Sequence, residues 1–312
     1  MRKETLFSIL IPVYNGSKTL SGVLDSIKSQ SYKNFEILLY DDCSSDTSKL
    51  IIKRWIKKNS INATLKSGKI NRGSFFGLQE CFKMSKGEYL VFSAQDNFFT
   101  PNRLEVYNQE IKKNGNLQII SSDVFCGTHS EFIVNLGRLQ KGLAGFITPN
   151  KYLLLMFRSL FFRFDSSVIR RDKFKLFPAS HIYSPSEDFA FITSVFTSLA
   201  RNNKEYLHIK SPLVYVILSR ESQSHIMSHQ ISVASINFIK QYNCPPIYLS
   251  MIEGNIRLIG LIRGRSVKNI FNFVLSHPIQ FIMGIFILGV RIILMLMLRK
   301  NATCELNKIY YK

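Results

Sequence analysis

The sequence predicts an α/β protein: a mostly parallel sheet flanked by helices, continued by a helical C-terminal extension. Three observations carry this expectation. Strand and helix patterns alternate through the first hundred residues. Turns rich in Asp and Asn follow the strands, at the carboxyl ends where parallel sheets bind their ligands. The last forty residues are strongly apolar with basic punctuation.

Taken in order, Phe7 to Ile11 is a short β-rich apolar run stopped by Pro12, read as a buried strand. Ser17 is the expected cap of a helix whose Leu20, Val23, Leu24 and Ile27 fall at i, i+3, i+4 and i+7. Phe35 to Tyr40 is the second strand, and Asp46 the expected cap of a helix holding Leu50, Ile51 and Trp55. Ala63 to Lys66 is a weaker strand, Ser74 to Met84 has helical spacing, and Tyr89 to Phe92 is the fourth strand. This βαβαβαβ order requires parallel strands with helices on both faces. Thr100-Pro101 is the expected cap and first turn of a helix through Ile111, and Leu117 to Phe125 is strand-like. The stretch 126–165 has little pattern. Its run Tyr152 to Phe164 reads as core, with an exposed lip of a binding site as the alternative, and helical patterns take over beyond Tyr215.

At 46% hydrophobic and 12% aromatic residues, the chain has the composition of a folding sequence rather than a disordered one. Lys and Arg number 41 against 21 acids, a formal net charge of +20. Such a surface seeks phosphate, whether on nucleic acid, nucleotide, anionic lipid or a pyrophosphate-linked substrate. The basic residues are scattered and form no recognised DNA- or RNA-binding module, so nucleic acid is not an expected partner. The five cysteines are dispersed without a Cys-x-x-Cys pair, which argues against a disulfide framework or a zinc site and fits a reducing cytoplasm. The opening apolar run is too short for the core of a secretory leader.

Three acidic elements are candidates for chemistry. In Asp41-Asp42, adjacent side chains of an extended strand point opposite ways, so one can face a ligand while the other supports the loop; a solvated turn is the plainer reading. Asp96 follows a strand, where a carboxylate can hold a hard divalent cation, or simply end the strand. In Glu187-Asp188, Ser186 can cap a helix with both acids near its positive end, or one acid can act as a general base. Each signal is weak singly; their order and spacing are not.

Phe7 to Asn15, Phe35 to Thr47, Asn71-Arg72-Gly73, Lys86 to Leu104, Ser166 to Arg171 and Ser186-Glu187-Asp188 together resemble the family 2 glycosyltransferases of the GT-A fold. The resemblance covers roughly residues 5–200 and implies an inverting transfer from a nucleotide-diphosphate sugar. Carried over by motif, it implies that Pro12, Tyr14, Asn15, Asp42, Arg72 and Gln95 surround the donor nucleotide, of the UDP or dTDP type. It further implies that Asp96 ligates Mn²⁺ or Mg²⁺ and that Asp188 is the catalytic base. Two departures stand out: Ala94 occupies the place of the first acid of the family's Asp-x-Asp motif, and Tyr215-Val216-Ile217-Leu218 lacks the Arg and His of its Tyr-Arg-x-His element.

The implied division is 1–105 as the nucleotide-sugar half of the domain, 106–220 as the acceptor half and 221–312 as the helical extension. Within the last, the apolar segment near 279–298 contains one central Arg291 and is flanked by basic residues at both ends. Its dozen apolar side chains outweigh Arg291, at about −0.3 to −0.6 against about +2.5 to +3.5 kcal/mol each. Basic flanks on both sides favour a segment that lies in or dips into an anionic membrane surface from the cytoplasmic face; a buried helix is the alternative. The expected acceptor is therefore a lipid-linked saccharide of a bacterial surface polysaccharide. Alternatives are transfer to a polyprenyl phosphate and a catalytically silent GT-A scaffold.

Overall fold

Strands buried on both faces need continuous apolar sequence, and the three central ones have it. The computed structural model describes residues 4–127, 132–135, 164–176, 205–217, 246, 250, 253–258 and 267–298. Strands β1 (Phe7–Val13), β2 (Phe35–Asp41), β3 (Ala63–Ser67) and β4 (Tyr89–Phe92) pair in parallel in the order β3-β2-β1-β4. The sheet continues beyond β4 through β8 (Val168–Arg170), β6 (Ile119–Gly127), β9 (Tyr206–Ile217) and β5 (Asn97–Phe99), with β7 (Phe132–Asn135) paired to β6. β8 is antiparallel to both β4 and β6, so the second half is mixed. The expected α/β class and the parallel first half are both present.

β1 runs through Pro12 instead of ending before it. The backbone of Leu10 faces β4, accepting from Ser93 N–H, while that of Val13 faces β2, accepting from Asp42 N–H. Pro12 therefore turns its missing N–H toward β4, where the ladder has already ended at Leu10 and Phe92.

Helix α1 (Leu20–Lys28) buries Leu20, Val23, Leu24 and Ile27, as their spacing predicts. Ser17 is not its cap. The helix starts three residues later from Thr19, whose side chain makes no capping bond, and Ser17 N–H is held by Asp46 at 3.0 Å. Asp46 also accepts Ser48 N–H at 2.9 Å, so it serves α2 (Ser48–Asn59) from one position before the N-cap Thr47. Burial alone would raise the Asp46 carboxyl, but bonds from Ser48 and Ser17 outweigh it and hold its pKa at about 2. Trp55 of α2 donates to Asp25 of α1 at 2.7 Å and joins the two helices.

α3 (Ser74–Met84) packs against β1 and β2. α4 spans Arg103–Lys113, beginning two residues after Pro101. Thr100 and Pro101 are used in docking instead: their carbonyls accept from the Gln30 side chain and Ser31 N–H at the end of α1.

In the C-terminal region a helical stretch at 253–258 is followed by α5 (Val267–Ser276) and α6 (Pro278–Leu298), with Pro278 at the first helical position. The 253–258 stretch crosses α6 at backbone contact: a Cβ at Gly254 would lie 1.9 Å from the Gln280 carbonyl oxygen. Phe271, Leu275, Ile279, Ile282, Ile285 and Phe286 of α5 and α6 are exposed. Side chains of α6 are described through Gly289, and among the described residues no helix is long and apolar enough to cross a membrane. The run that begins at Tyr152 lies outside the described residues up to its last member, Phe164.

Candidate functional site

The carboxyl ends of β1, β2 and β4 meet at one edge of the sheet, and the loops leaving them are stitched together by their own side chains. Gln95 closes the β4 loop onto the β1 loop with both ends of its amide: Tyr14 N–H donates to Oε1 and Nε2 donates to Tyr14 O, each at 2.8 Å. Its amide therefore holds the Tyr14 turn. Asn15, at φ 51°, uses Oδ1 to accept Ser45 N–H at 2.9 Å, while its own N–H donates to Ser44 at 3.0 Å. Asn tolerates the left-handed region better than most residues, which suits it to this turn.

Asp42 is buried and holds the third loop: its carboxylate accepts Arg72 N–H at 3.0 Å and Gly73 N–H at 2.7 Å. Asp41, equally buried, keeps one carboxylate oxygen without a partner among the described residues. Arg72 is exposed, with its guanidinium 4.7 Å from the centre of the Phe76 ring. Pro12 and Tyr14 are half-buried. The structure thus brings Pro12, Tyr14, Asn15, Asp42, Arg72, Gln95 and Asp96 to one end of the sheet. Asp188 lies outside the described residues.

Gly73 joins this loop to α3 at φ 89° and ψ 161°, a conformation essentially reserved for glycine. A Cβ there would meet nothing within 4 Å, so the obstacle is backbone strain alone. Gly73→Ala is expected to destabilise the fold by about 1–3 kcal/mol, read as a lower midpoint in urea. Full stability in the variant would show that the loop relaxes without cost.

Asp96 is half-buried, and among the described residues no other residue donates to its carboxylate. Burial raises its pKa, and the charge of Asp165 raises it further. A carboxylate held partly desolvated and near a second negative charge is what a hard divalent cation relieves. Asp96 therefore fits a hard divalent cation such as Mn²⁺ or Mg²⁺ as one oxygen ligand, and would hold it against the charge of a substrate.

Two features were not picked out from sequence. Asp165 is one. The other is a buried chain in which Asp123 meets His208 at 2.9 Å, His208 meets Ser121 at 2.8 Å, and Ser121 meets Tyr206 at 2.9 Å. The bulge between β6 and β9 at Ser122 and Asp123 accompanies it. No local pattern signals either one, because the partners are about 70 or more residues apart.

Residues 8–177 match the family described as "Glycosyl transferase family 2", more than half of the chain. The chain belongs to that family. The putative glycosyltransferase EpsE of Bacillus subtilis is 29% identical over 161 residues, covering 50% of this chain and 57% of that protein. The UDP-Glc:alpha-D-GlcNAc-diphosphoundecaprenol beta-1,3-glucosyltransferase WfgD of Escherichia coli is 26% identical over 148 residues, 43% and 57% of the two chains. The chain thus spans little more than half the length of either relative. Among solved structures, the mannosyltransferase PcManGT of Pyrobaculum calidifontis, in complex with GDP-Man and Mn²⁺, aligns with a TM-score of 0.55. That alignment covers 93% of this chain and 87% of PcManGT at 14% identity, so it speaks to the fold, which is GT-A. As a family 2 member, the chain carries its stitched loops where the GT-A sheet presents its carboxyl ends.

Proposed function

We propose that the protein is an inverting transferase that moves a sugar from a nucleotide diphosphate of the UDP or dTDP type to a hydroxyl of a lipid-linked saccharide, in bacterial surface polysaccharide synthesis. The observation that carries this reading is Asp96: a half-buried carboxylate at the end of β4 to which no other described residue donates, beside three loops braced against one another, in a family 2 chain. WfgD, named for a UDP-glucose donor and a diphosphoundecaprenol-linked acceptor, supplies the support for donor and acceptor class.

In this mechanism the chain's residues divide the work. Asp42 fixes the turn at Arg72 and Gly73, and Gln95 fixes the turn at Tyr14, so that the nucleotide meets a preorganised pocket. Arg72, held over Phe76, lends positive charge at its rim. Asp188 takes the proton from the acceptor hydroxyl, whose oxygen then forms a bond to the anomeric carbon from the face opposite the departing diphosphate. Mn²⁺ or Mg²⁺ at Asp96, when bound, supplies charge neutralisation to that diphosphate. Inversion follows from a single displacement.

The exposed apolar side chains of α5 and α6, with Lys and Arg nearby in sequence, support a resting place on the cytoplasmic face of an anionic membrane. The test combines both claims: purified protein, a radiolabelled UDP- or dTDP-sugar, and vesicles of anionic phospholipid carrying a diphosphoundecaprenol-linked sugar. Co-sedimentation with the vesicles and label on the lipid-linked acceptor are the expected results. Transfer only to soluble sugars, from protein that ignores vesicles, would sink the acceptor and membrane reading.

Ala94 favours one second reading, a silent GT-A scaffold, since it removes an acid usual at this motif. Failure of every nucleoside diphosphate to bind folded protein in the presence of Mn²⁺ would select it.

A further inference from the structure

Helices α5 and α6 form one interrupted helix. His277 N–H donates to Phe273 O at 2.9 Å and Phe281 N–H to His277 O at 3.0 Å, so helical bonds run through the junction. Pro278 lacks the N–H that would continue the ladder there. Along this helix Phe271, Leu275, Ile279, Ile282 and Phe286 recur every three or four residues, the spacing of a single helical face. They are between 61% and 68% exposed. Phe273, Gly284 and Ile287 are buried on another side.

A helix that is apolar on both its docked and its outer side needs apolar cover. A second copy of the chain or the hydrocarbon of a bilayer could supply it, and the charge of the region chooses between them. From Gly254 to Cys304 the sequence has seven Lys or Arg and no Asp or Glu. A second copy would bring like charges together, whereas anionic headgroups bring opposite ones.

Geometry then fixes the mode of contact. A Cβ at Gly284 would lie 2.6 Å from Gly254 O and 3.2 Å from Asn255 N, so the 253–258 segment crosses α6 at its backbone. A helix pinned there to a segment bearing Glu253, Asn255 and Arg257 cannot have lipid on all sides. Past the crossing, Ile285 to Leu298 is about 14 residues, a rise of about 21 Å against a hydrocarbon core of about 30 Å. Arg291 stands in the middle of that stretch.

We propose that the α5–α6 helix lies in the plane of one leaflet of an anionic bilayer, with Phe271, Leu275, Ile279, Ile282 and Phe286 as its inserted edge, and does not cross. The proposal rests on the membrane reading above and adds the mode of attachment and the side chains that make it. An in-plane helix inserts about 5–10 Å, and the 253–258 segment stays on its headgroup side.

The test places a fluorescent probe at each end of the stripe, as Phe271→Trp and Phe286→Trp in the full chain. Trp55, the chain's single Trp, is buried in α2 and gives a constant background. The vesicles are phosphatidylglycerol or phosphatidylcholine, with bromine at a shallow or a deep acyl position. Equal quenching of both probes by shallow bromine, on the anionic vesicles and far less on the neutral ones, is expected. Deep quenching at 286 with none at 271 would mean a crossing helix and overturn the proposal. So would quenching at neither position in protein that still sediments with vesicles, or a dimer in light scattering that the double variant below makes monomeric. Phe271→Glu with Ile282→Glu is expected to weaken vesicle binding about 100-fold and to leave the unfolding temperature near that of wild type. A folded double variant that binds vesicles as wild type does also ends the proposal. Wild type that ignores anionic vesicles altogether removes the membrane reading itself, and this proposal with it.

Discussion

Asp96→Asn is expected to abolish Mn²⁺-dependent stabilisation by nucleotide while leaving the ligand-free protein as stable as wild type or more so. The two effects have opposite signs for one reason. Burial, and then the charge of Asp165, raise the Asp96 pKa above its ordinary value, so the charged carboxylate opposes folding when no cation is present. The sign follows from proton linkage: between the unfolded and the raised folded pKa, the folded state holds more protons. Stability from this group is thus present at low pH and declines as pH rises through the folded pKa. Neutral Asn relieves that cost at neutral pH and removes the ligand. Wild type at about 100 times its nucleotide Kd gains about 2.7 kcal/mol from binding, and the variant should gain close to nothing. Differential scanning fluorimetry with UDP, dTDP, GDP and CDP, with Mn²⁺, Mg²⁺ or a chelator, reads both quantities at once. A variant that keeps the full metal-dependent shift would take Asp96 out of the cation site.

The second large effect is expected at Asp188. Removing a general base costs about 10²- to 10⁴-fold in rate, so Asp188→Asn should lose turnover by that factor while its metal-dependent affinity for UDP stays at the wild-type value. The separation matters, because a residue that merely shapes the pocket would lower both. Single-turnover transfer to the lipid-linked acceptor, alongside a UDP titration, makes the comparison. A loss of only a few-fold would favour an acceptor oxygen that needs no base, such as a phosphate of a polyprenyl phosphate, and would reassign Glu187-Asp188 to helix capping.

The helix starts show where local reading stops short. Ser17 and Thr100-Pro101 have the residue types of caps, yet neither opens its helix. Ser17 N–H is claimed by Asp46, 29 residues away, and the Thr100 hydroxyl donates to the Leu213 carbonyl, 113 residues away. Competing tertiary partners won in both places. Pro12 shows the same limit in a strand: proline ends a strand only where its N–H is needed, and that depends on which neighbour has already stopped pairing.

By itself the sequence determined the four parallel strands, the amphipathic face of α1, the span of α3 and the family to which the motifs belong. These depend on periodicity and on short motifs within one segment, which a linear reading captures. Tertiary structure alone decided that Gln95 braces Tyr14 and that Asp42 braces Arg72 and Gly73. Those relations join residues 30 to 81 positions apart across a sheet whose second half mixes parallel and antiparallel strands. Strand register sets them, and register is a property of paired chains that no single segment encodes.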